Sequence, residues 1–134
     1  GYVMADLKWY GGRRSWEVRQ AIGDIMSACA AHIVRKIKAD LNTPYPPPSS
    51  PHEAPHKRTG NLRASVDYWL NRKTLEVDIG VNINAPYWQY LEFGTVNMAP
   101  RPFLRTNIVR NAMAAQRRIE REAAKAQRRL TKQK

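Results

Sequence analysis

A proline-rich segment divides this chain, and it constrains the fold more than any other feature of the sequence. Six of the nine prolines lie within residues 43–57, "TPYPPPSSPHEAPHK". Each proline lacks a backbone N–H donor and holds φ near about −65°, so this segment is unsuited to a helix or a central strand. The composition predicts an extended, polyproline-II-like arm at 43–57. A helix that precedes the arm must end close to Pro44.

Residues 52–56 of the arm read HEAPH, which matches the H-E-x-x-H pattern of zinc proteases. That pattern needs a helix, because helical spacing turns both histidines toward one metal ion. Pro55 lies inside the motif, and a proline in a helix interior costs about 3 kcal/mol or more. The only other histidine, His32, is not spaced to act as a third ligand. We therefore interpret HEAPH as a hydrophilic loop and expect no metal and no cofactor.

The length of 134 residues predicts a single domain, 1–134, that is large enough to bury a core without metal or disulfides. Cys29 is the only cysteine, so no intramolecular disulfide forms. It lies among Met26 and Ile33 at helical spacing, which indicates a packing role. No apolar run approaches the roughly 20 residues of a membrane span, so we expect no membrane partner.

Two long amphipathic helices are predicted from three- and four-residue spacing of apolar positions. The first covers 16–41 and the second covers 103–130. After Met113 the less polar side of the second helix is nearly all alanine, which buries little area. We therefore expect its outer half to stand clear of the core. It would then pack on a neighbouring subunit or become ordered only in an assembly.

The residues between the two helices predict a small sheet. Segments 66–70 and 74–81 alternate apolar and polar residues and should form an antiparallel hairpin. Segment 85–95 should form a short helix stopped by Gly94 in a left-handed conformation, and 96–104 an extended edge segment. The expected fold class is α+β. A small antiparallel sheet, the hairpin 66–81 plus the edge segment, packs against the long N-terminal helix, with residues 1–14 as an N-terminal extension.

The net charge of +12 is concentrated at the C-terminus. Residues 101–134 contain 11 Lys and Arg but only 2 Glu, which gives +9. The segment 115–134 is therefore interpreted as a basic helical tail that contacts DNA or an acidic protein. A nucleic-acid-binding module remains an alternative function, although no base-reading motif is present. The candidate contacts are Arg117, Arg118, Arg121, Lys125, Arg128 and Arg129.

No constellation of residues indicates an enzyme. The sequence contains neither a recognisable nucleophile–base pair nor a glycine-rich loop that would hold a phosphate. We therefore expect no catalytic activity and no small-molecule substrate. Aromatic residues cluster instead at 87–93, the composition of interface hot spots. Within this cluster Tyr90, Leu91 and Phe93 are expected in the core, Trp88 is expected to be more open, and Glu92 is expected to pair with Arg58 or Arg101.

Two stretches together resemble a known family. "PYPPPSSPHEAPHKRTGNLRASV" (44–66) is similar to its proline-rich loop followed by a T-G-x-L-R-x-S turn. "YWQYLEFGTVNMAPRPFLR" (87–105) is similar to its second signature, an aromatic residue, E-F-G-T and then R-P-F-L. The family is the tail-completion, or head–tail joining, proteins of long-tailed bacteriophages and prophages. The similarity extends over roughly residues 15–115.

The resemblance implies a virion structural protein of the phage neck that is assembled in the cytoplasm of the bacterial host. Such proteins form a homo-oligomeric ring, taken as a hexamer. The ring links the tail tube or terminator protein to the head connector or stopper protein around the passage for genomic DNA. The residues that we predict at contacts between subunits or with partners are Tyr45, Pro46, Pro47, Pro48, Arg58, Trp88, Glu92 and Arg101.

Overall fold

The computed structural model describes residues 2–8, 16–42, 51, 61–82, 88–97 and 99–132. Their α+β arrangement confirms the predicted fold class, with a long helix near each end of the chain and a small antiparallel sheet. The elements in chain order are β1 (Tyr2–Lys8), α1 (Trp16–Asp40), α2 (Asn61–Ser65), β2 (Val66–Asn71), β3 (Glu76–Val81), α3 (Trp88–Phe93) and α4 (Arg105–Lys132).

The predicted hairpin is confirmed as β2 and β3, which pair antiparallel from Val66 opposite Val81 to Asn71 opposite Glu76. Apolar residues of β3 lie in the core, while Trp69 and the other outward residues of β2 reach the opposite side. Such alternation is what a strand with one covered face requires. The turn is stabilised by the Asn71 side chain, whose Oδ1 accepts hydrogen bonds from the N–H groups of Lys73 and Thr74.

The third strand of the sheet comes from the N-terminus and not from 96–104 as predicted. β1 pairs antiparallel with β3, so the strand order is β1-β3-β2. Residues 2–8, which were expected to belong to an extension, thus complete the sheet. Segment 99–102 contains no strand. Its two prolines, at 100 and 102, cannot donate to a strand ladder.

Helix α1 is the centre of the packing, and its range confirms the first predicted helix. It contacts β2 and β3 on one side and α4 on the other, while α4 also contacts β1. The core therefore lies between the sheet and a helix pair. The largest fully buried side chains include Phe103, Ile22, Met26 and Ile33.

The outer half of α4 does not stand clear of the core, and that prediction is wrong. Ala115, Ile119, Ala123 and Ala126 are all buried. The two long helices run antiparallel. Near one end of the pair, Asn107 Nδ2 donates to Asp40 Oδ2 at 2.7 Å. Small side chains at a helix contact allow the two axes to approach closely, so an alanine stripe packs well although each residue contributes little area.

The hairpin turn is fixed to α1 through Arg72. Its Nη2 lies 2.8 Å from Asp24 Oδ1, and its Nη1 donates to Gln20 Oε1 at 3.1 Å. The guanidinium lies directly over Gly23, where a Cβ atom would come within 2.8 Å of Arg72 Nη1. Glycine at this position therefore lets the turn and the helix meet.

Gly94 ends α3 as predicted, with φ of 75° and its N–H donating to Tyr90 O at 2.8 Å. A β-carbon disfavours this left-handed conformation by roughly 1–2 kcal/mol. We expect Gly94→Ala to lower the free energy of unfolding by about 1 kcal/mol, measured by urea denaturation. Gly94→Asn should lose less, because asparagine tolerates this conformation better than alanine. Equal losses for the two variants would contradict this account.

Candidate interaction surfaces

Helix α3 has an inner and an outer face. Trp88 and Glu92 are buried, with 2% and 4% of their surface exposed. Tyr90 and Phe93 point outward and are 60% and 56% exposed. Steps of about 100° per residue put the first pair opposite the second. The expectation that Tyr90 and Phe93 lie in the core and that Trp88 is more open is therefore wrong.

Trp88 is also excluded as a contact to a partner by its burial in this chain. Its ring lies 6.4 Å from that of Phe93, measured between centroids, at an interplanar angle of 49°. Tilted aromatic pairs of this kind are favourable. Trp88 therefore supports the exposed Phe93 ring from below.

Glu92 joins α3 to the beginning of α4. Its Oε1 accepts hydrogen bonds from the backbone N–H groups of Phe103, at 2.9 Å, and Leu104, at 3.0 Å. Its Oε2 accepts a third, from the Arg105 N–H at 3.1 Å. The first N–H groups of a helix lack partners within the helix and favour a negative charge. Glu92 therefore caps α4 from a different element.

This cap was missed from the sequence, although a signal exists. Ile108 N donates to Leu104 O at 3.0 Å, so Leu104 occupies the N-cap position with a side chain that cannot accept a hydrogen bond. The first turn of α4 also contains no acidic residue. A helix start without its own acceptor requires one from elsewhere. The predicted pairing of Glu92 with an arginine stays a prediction for Arg101, while Arg58 lies outside the described residues.

The outward residues around α3 form an apolar surface, which we call the α3 patch and define as Tyr90, Phe93 and Val96. Val96, in the turn after Gly94, is fully exposed. An exposed apolar group is informative when it is contiguous and rests on a rigid base. Here the base is rigid, because the inner face of α3 is buried and Glu92 is bonded to α4.

A second surface is the exposed side of α4, opposite its buried stripe. All six predicted basic contacts on this helix are exposed. Four arginines, one of them missed from the sequence, follow one another at intervals of seven, four and seven residues, and we call them the arginine stripe. They are Arg110, Arg117, Arg121 and Arg128. The total of 18 residues equals five helical turns, so the four lie on one line parallel to the axis.

A shallow groove between α1 and α4 contains Cys29, His32 and Arg118. Burial raises the pKa of the Cys29 thiol, and the nearby Arg118 guanidinium opposes that rise. A protonated, buried thiol agrees with the predicted packing role. Within the described part of the chain, no three His, Cys, Asp or Glu side chains come together as a metal site. None of the described helices has the length and apolar character that crossing a bilayer requires.

Several predicted residues lie outside the described ranges, so their roles stay predictions. They belong to the arm and to the turn that follows it. They include the HEAPH histidines, Tyr45, Pro46, Pro47, Pro48 and Arg58.

Comparison with known proteins identifies one family. The family model described as "Bacteriophage HK97-gp10, putative tail-component" matches residues 3–94. That is 92 of the 134 residues, and it includes the sheet, α1 and α3 but ends before α4 begins. Neither a curated protein nor a solved structure matches the chain.

Proposed function

Because this chain belongs to the HK97-gp10-like family of bacteriophage tail components, and is therefore a structural protein of the virion, we propose that it joins tail to head. In this proposal identical copies form a hexameric ring at the neck. The ring binds the tail terminator or tube on one side and the head connector or stopper on the other. Genomic DNA passes through its centre.

The observation that carries the proposal is the α3 patch. Two aromatic rings on a six-residue helix stay more than half exposed although the same helix buries Trp88 and Glu92. Aromatic residues are enriched among those that contribute most to binding between proteins. The bonds from Glu92 to the start of α4 hold this helix before any partner arrives, so little entropy is lost on binding.

A ring needs two different surfaces on each copy, because a head-to-tail contact closes only when one surface meets another. The α3 patch supplies one. We propose the arm, 43–57, of the adjacent copy as the other, since aromatic surfaces bind extended proline-rich segments with little loss of entropy. Tyr45 and Pro46–Pro48 would then lie on the patch, with Arg58 and Arg101 at its edge.

The double substitution Tyr90→Ser and Phe93→Ser tests this contact. If each ring contributes even about 1 kcal/mol, losing both weakens self-association about 30-fold, since 1.4 kcal/mol is a factor of ten. Sedimentation velocity and negative-stain electron microscopy of the full chain should show rings for the unaltered protein and monomers for the variant. The unfolding midpoint should stay the same, because both side chains are exposed.

Trp69→Ser is the matched control, because Trp69 is an exposed aromatic residue on the sheet, away from α3. It should leave the rings intact. Rings that persist in the double variant would contradict the role of the patch. In phage particles, the double variant should also leave filled heads and finished tails unjoined. Normal joining without this protein would contradict the function itself.

A further inference from the structure

The arginine stripe is fixed in place by the packing of α4. The side of the helix opposite the stripe is buried against the core through Ala115, Ile119 and Ala123. The helix therefore cannot rotate to hide its arginines. Four guanidinium groups are held along about 27 Å, because 18 residues each rise about 1.5 Å.

The stripe is not neutralised by its own helix. Glu120 and Glu122 are the only acidic residues of α4. Glu122 contacts Lys125 at 3.3 Å and Arg121 at 4.0 Å, and Glu120 accepts a hydrogen bond from Gln116. The other three members of the stripe form no ion pair with any residue in the described ranges. They are Arg110, Arg117 and Arg128.

The chemistry of the stripe fits a polyanion better than it fits a protein. The residues that lie between its arginines on the same side are Ala114 and Ala124, both exposed. An interface between proteins usually has an apolar or aromatic centre, and no such residue lies on this line. Arginine is instead the side chain best suited to phosphate oxygens, because its planar fork donates two hydrogen bonds at once.

We propose that the arginine stripe of α4 binds the phosphate backbone of duplex DNA without reading its sequence. Duplex DNA carries about one negative charge per 1.7 Å of axis, so a straight line of guanidinium groups meets phosphates along its whole length. Phosphate contacts position a protein but do not select bases. The binding itself is independent of ring formation. Only the identity of the DNA, the genome inside the neck, rests on the proposed function, in which α4 would face the passage.

The test is the salt dependence of binding to a fluorescent 30-base-pair duplex by the full chain. The variant carries Arg110→Gln, Arg117→Gln and Arg128→Gln. Each phosphate contact contributes about 0.9 to the slope of log K against log salt. Removing three should reduce that slope by about 3 and weaken binding at least about 100-fold at low salt. Two duplexes of unrelated sequence should bind equally well.

The matched control removes three exposed positive charges elsewhere, through Arg35→Gln, Lys36→Gln and Lys73→Gln. Its net charge falls from +12 to +9, as in the stripe variant. It should keep nearly the full slope. Equal losses in both variants would show that total charge and not the stripe is responsible, and would overturn the proposal. An unchanged slope in the stripe variant would also overturn it and would indicate an acidic protein as partner.

Sedimentation of the same samples separates this inference from the proposed function. Rings that bind DNA through the stripe support both. Monomers that lose DNA binding only when the stripe is changed support the stripe and contradict the ring. Rings whose DNA binding does not depend on the stripe support the ring and overturn the inference.

Discussion

Replacing Glu92 by alanine is expected to lower the free energy of unfolding by about 4 kcal/mol. The substitution leaves the N–H groups of Phe103, Leu104 and Arg105 without their acceptor. An unsatisfied buried polar group costs about 1–3 kcal/mol, and bonds to a charged acceptor lie at the upper end. A domain of this size has only about 5–15 kcal/mol of total stability, so much of it would be lost. Urea denaturation followed by circular dichroism measures the change.

Two further substitutions isolate the cause. Glu92→Gln keeps one acceptor oxygen but places an N–H₂ group against the helix start, so it should lose about half as much. Glu120→Ala removes a carboxylate that is exposed on the same helix, and should change stability by less than about 0.5 kcal/mol. A loss below about 1 kcal/mol for Glu92→Ala would show that α4 does not depend on this cap.

The elements predicted correctly are those whose signal lies within one stretch of sequence. Helix α1 shows its apolar stripe over seven turns, and the hairpin alternates over two adjacent segments. Gly94 needs only the local geometry of a helix end. These features depend on neighbours in sequence, so the pattern alone indicates them.

The features that were missed depend on residues distant in sequence. β1 pairs with β3 more than 70 residues later, and nothing within residues 2–8 identifies that partner. Glu92 is likewise satisfied by N–H groups 11 to 13 residues further along the chain. Edge pairing and caps of this kind become visible only when the fold brings the two segments together.

The candidate contact surface could be predicted in composition but not in orientation. Helix α3 has six residues, fewer than two turns, and most of them are apolar. Over so short a length the apolar pattern does not say which face points inward. The buried carboxylate of Glu92 decides it, because that side must face the start of α4. Tyr90 and Phe93 therefore point outward, and the residues expected to be core became the surface.

Replacing Ala123 by glutamate is expected to cost about 3 kcal/mol or more. Ala123 is 1% exposed, on the side of α4 that faces the core. A glutamate there is too large for the space and carries a charge that has lost its water. The neighbouring Ala124→Glu offers a matched comparison, because the residue is exposed and the new side chain lies four positions before Arg128. That pair should be neutral or stabilising by a few tenths of a kcal/mol.

The comparison of these two variants decides how α4 is held in the free protein. Both introduce the same helix-forming residue at adjacent positions, so their helix propensity and net charge are identical. If the outer half of α4 packs on the core, thermal unfolding should separate the two midpoints by roughly 10 °C or more. If that half became ordered only on a neighbouring subunit, the two monomers would unfold alike, and only assembly would tell them apart. Coincident midpoints would therefore restore the expectation drawn from the alanine-rich sequence.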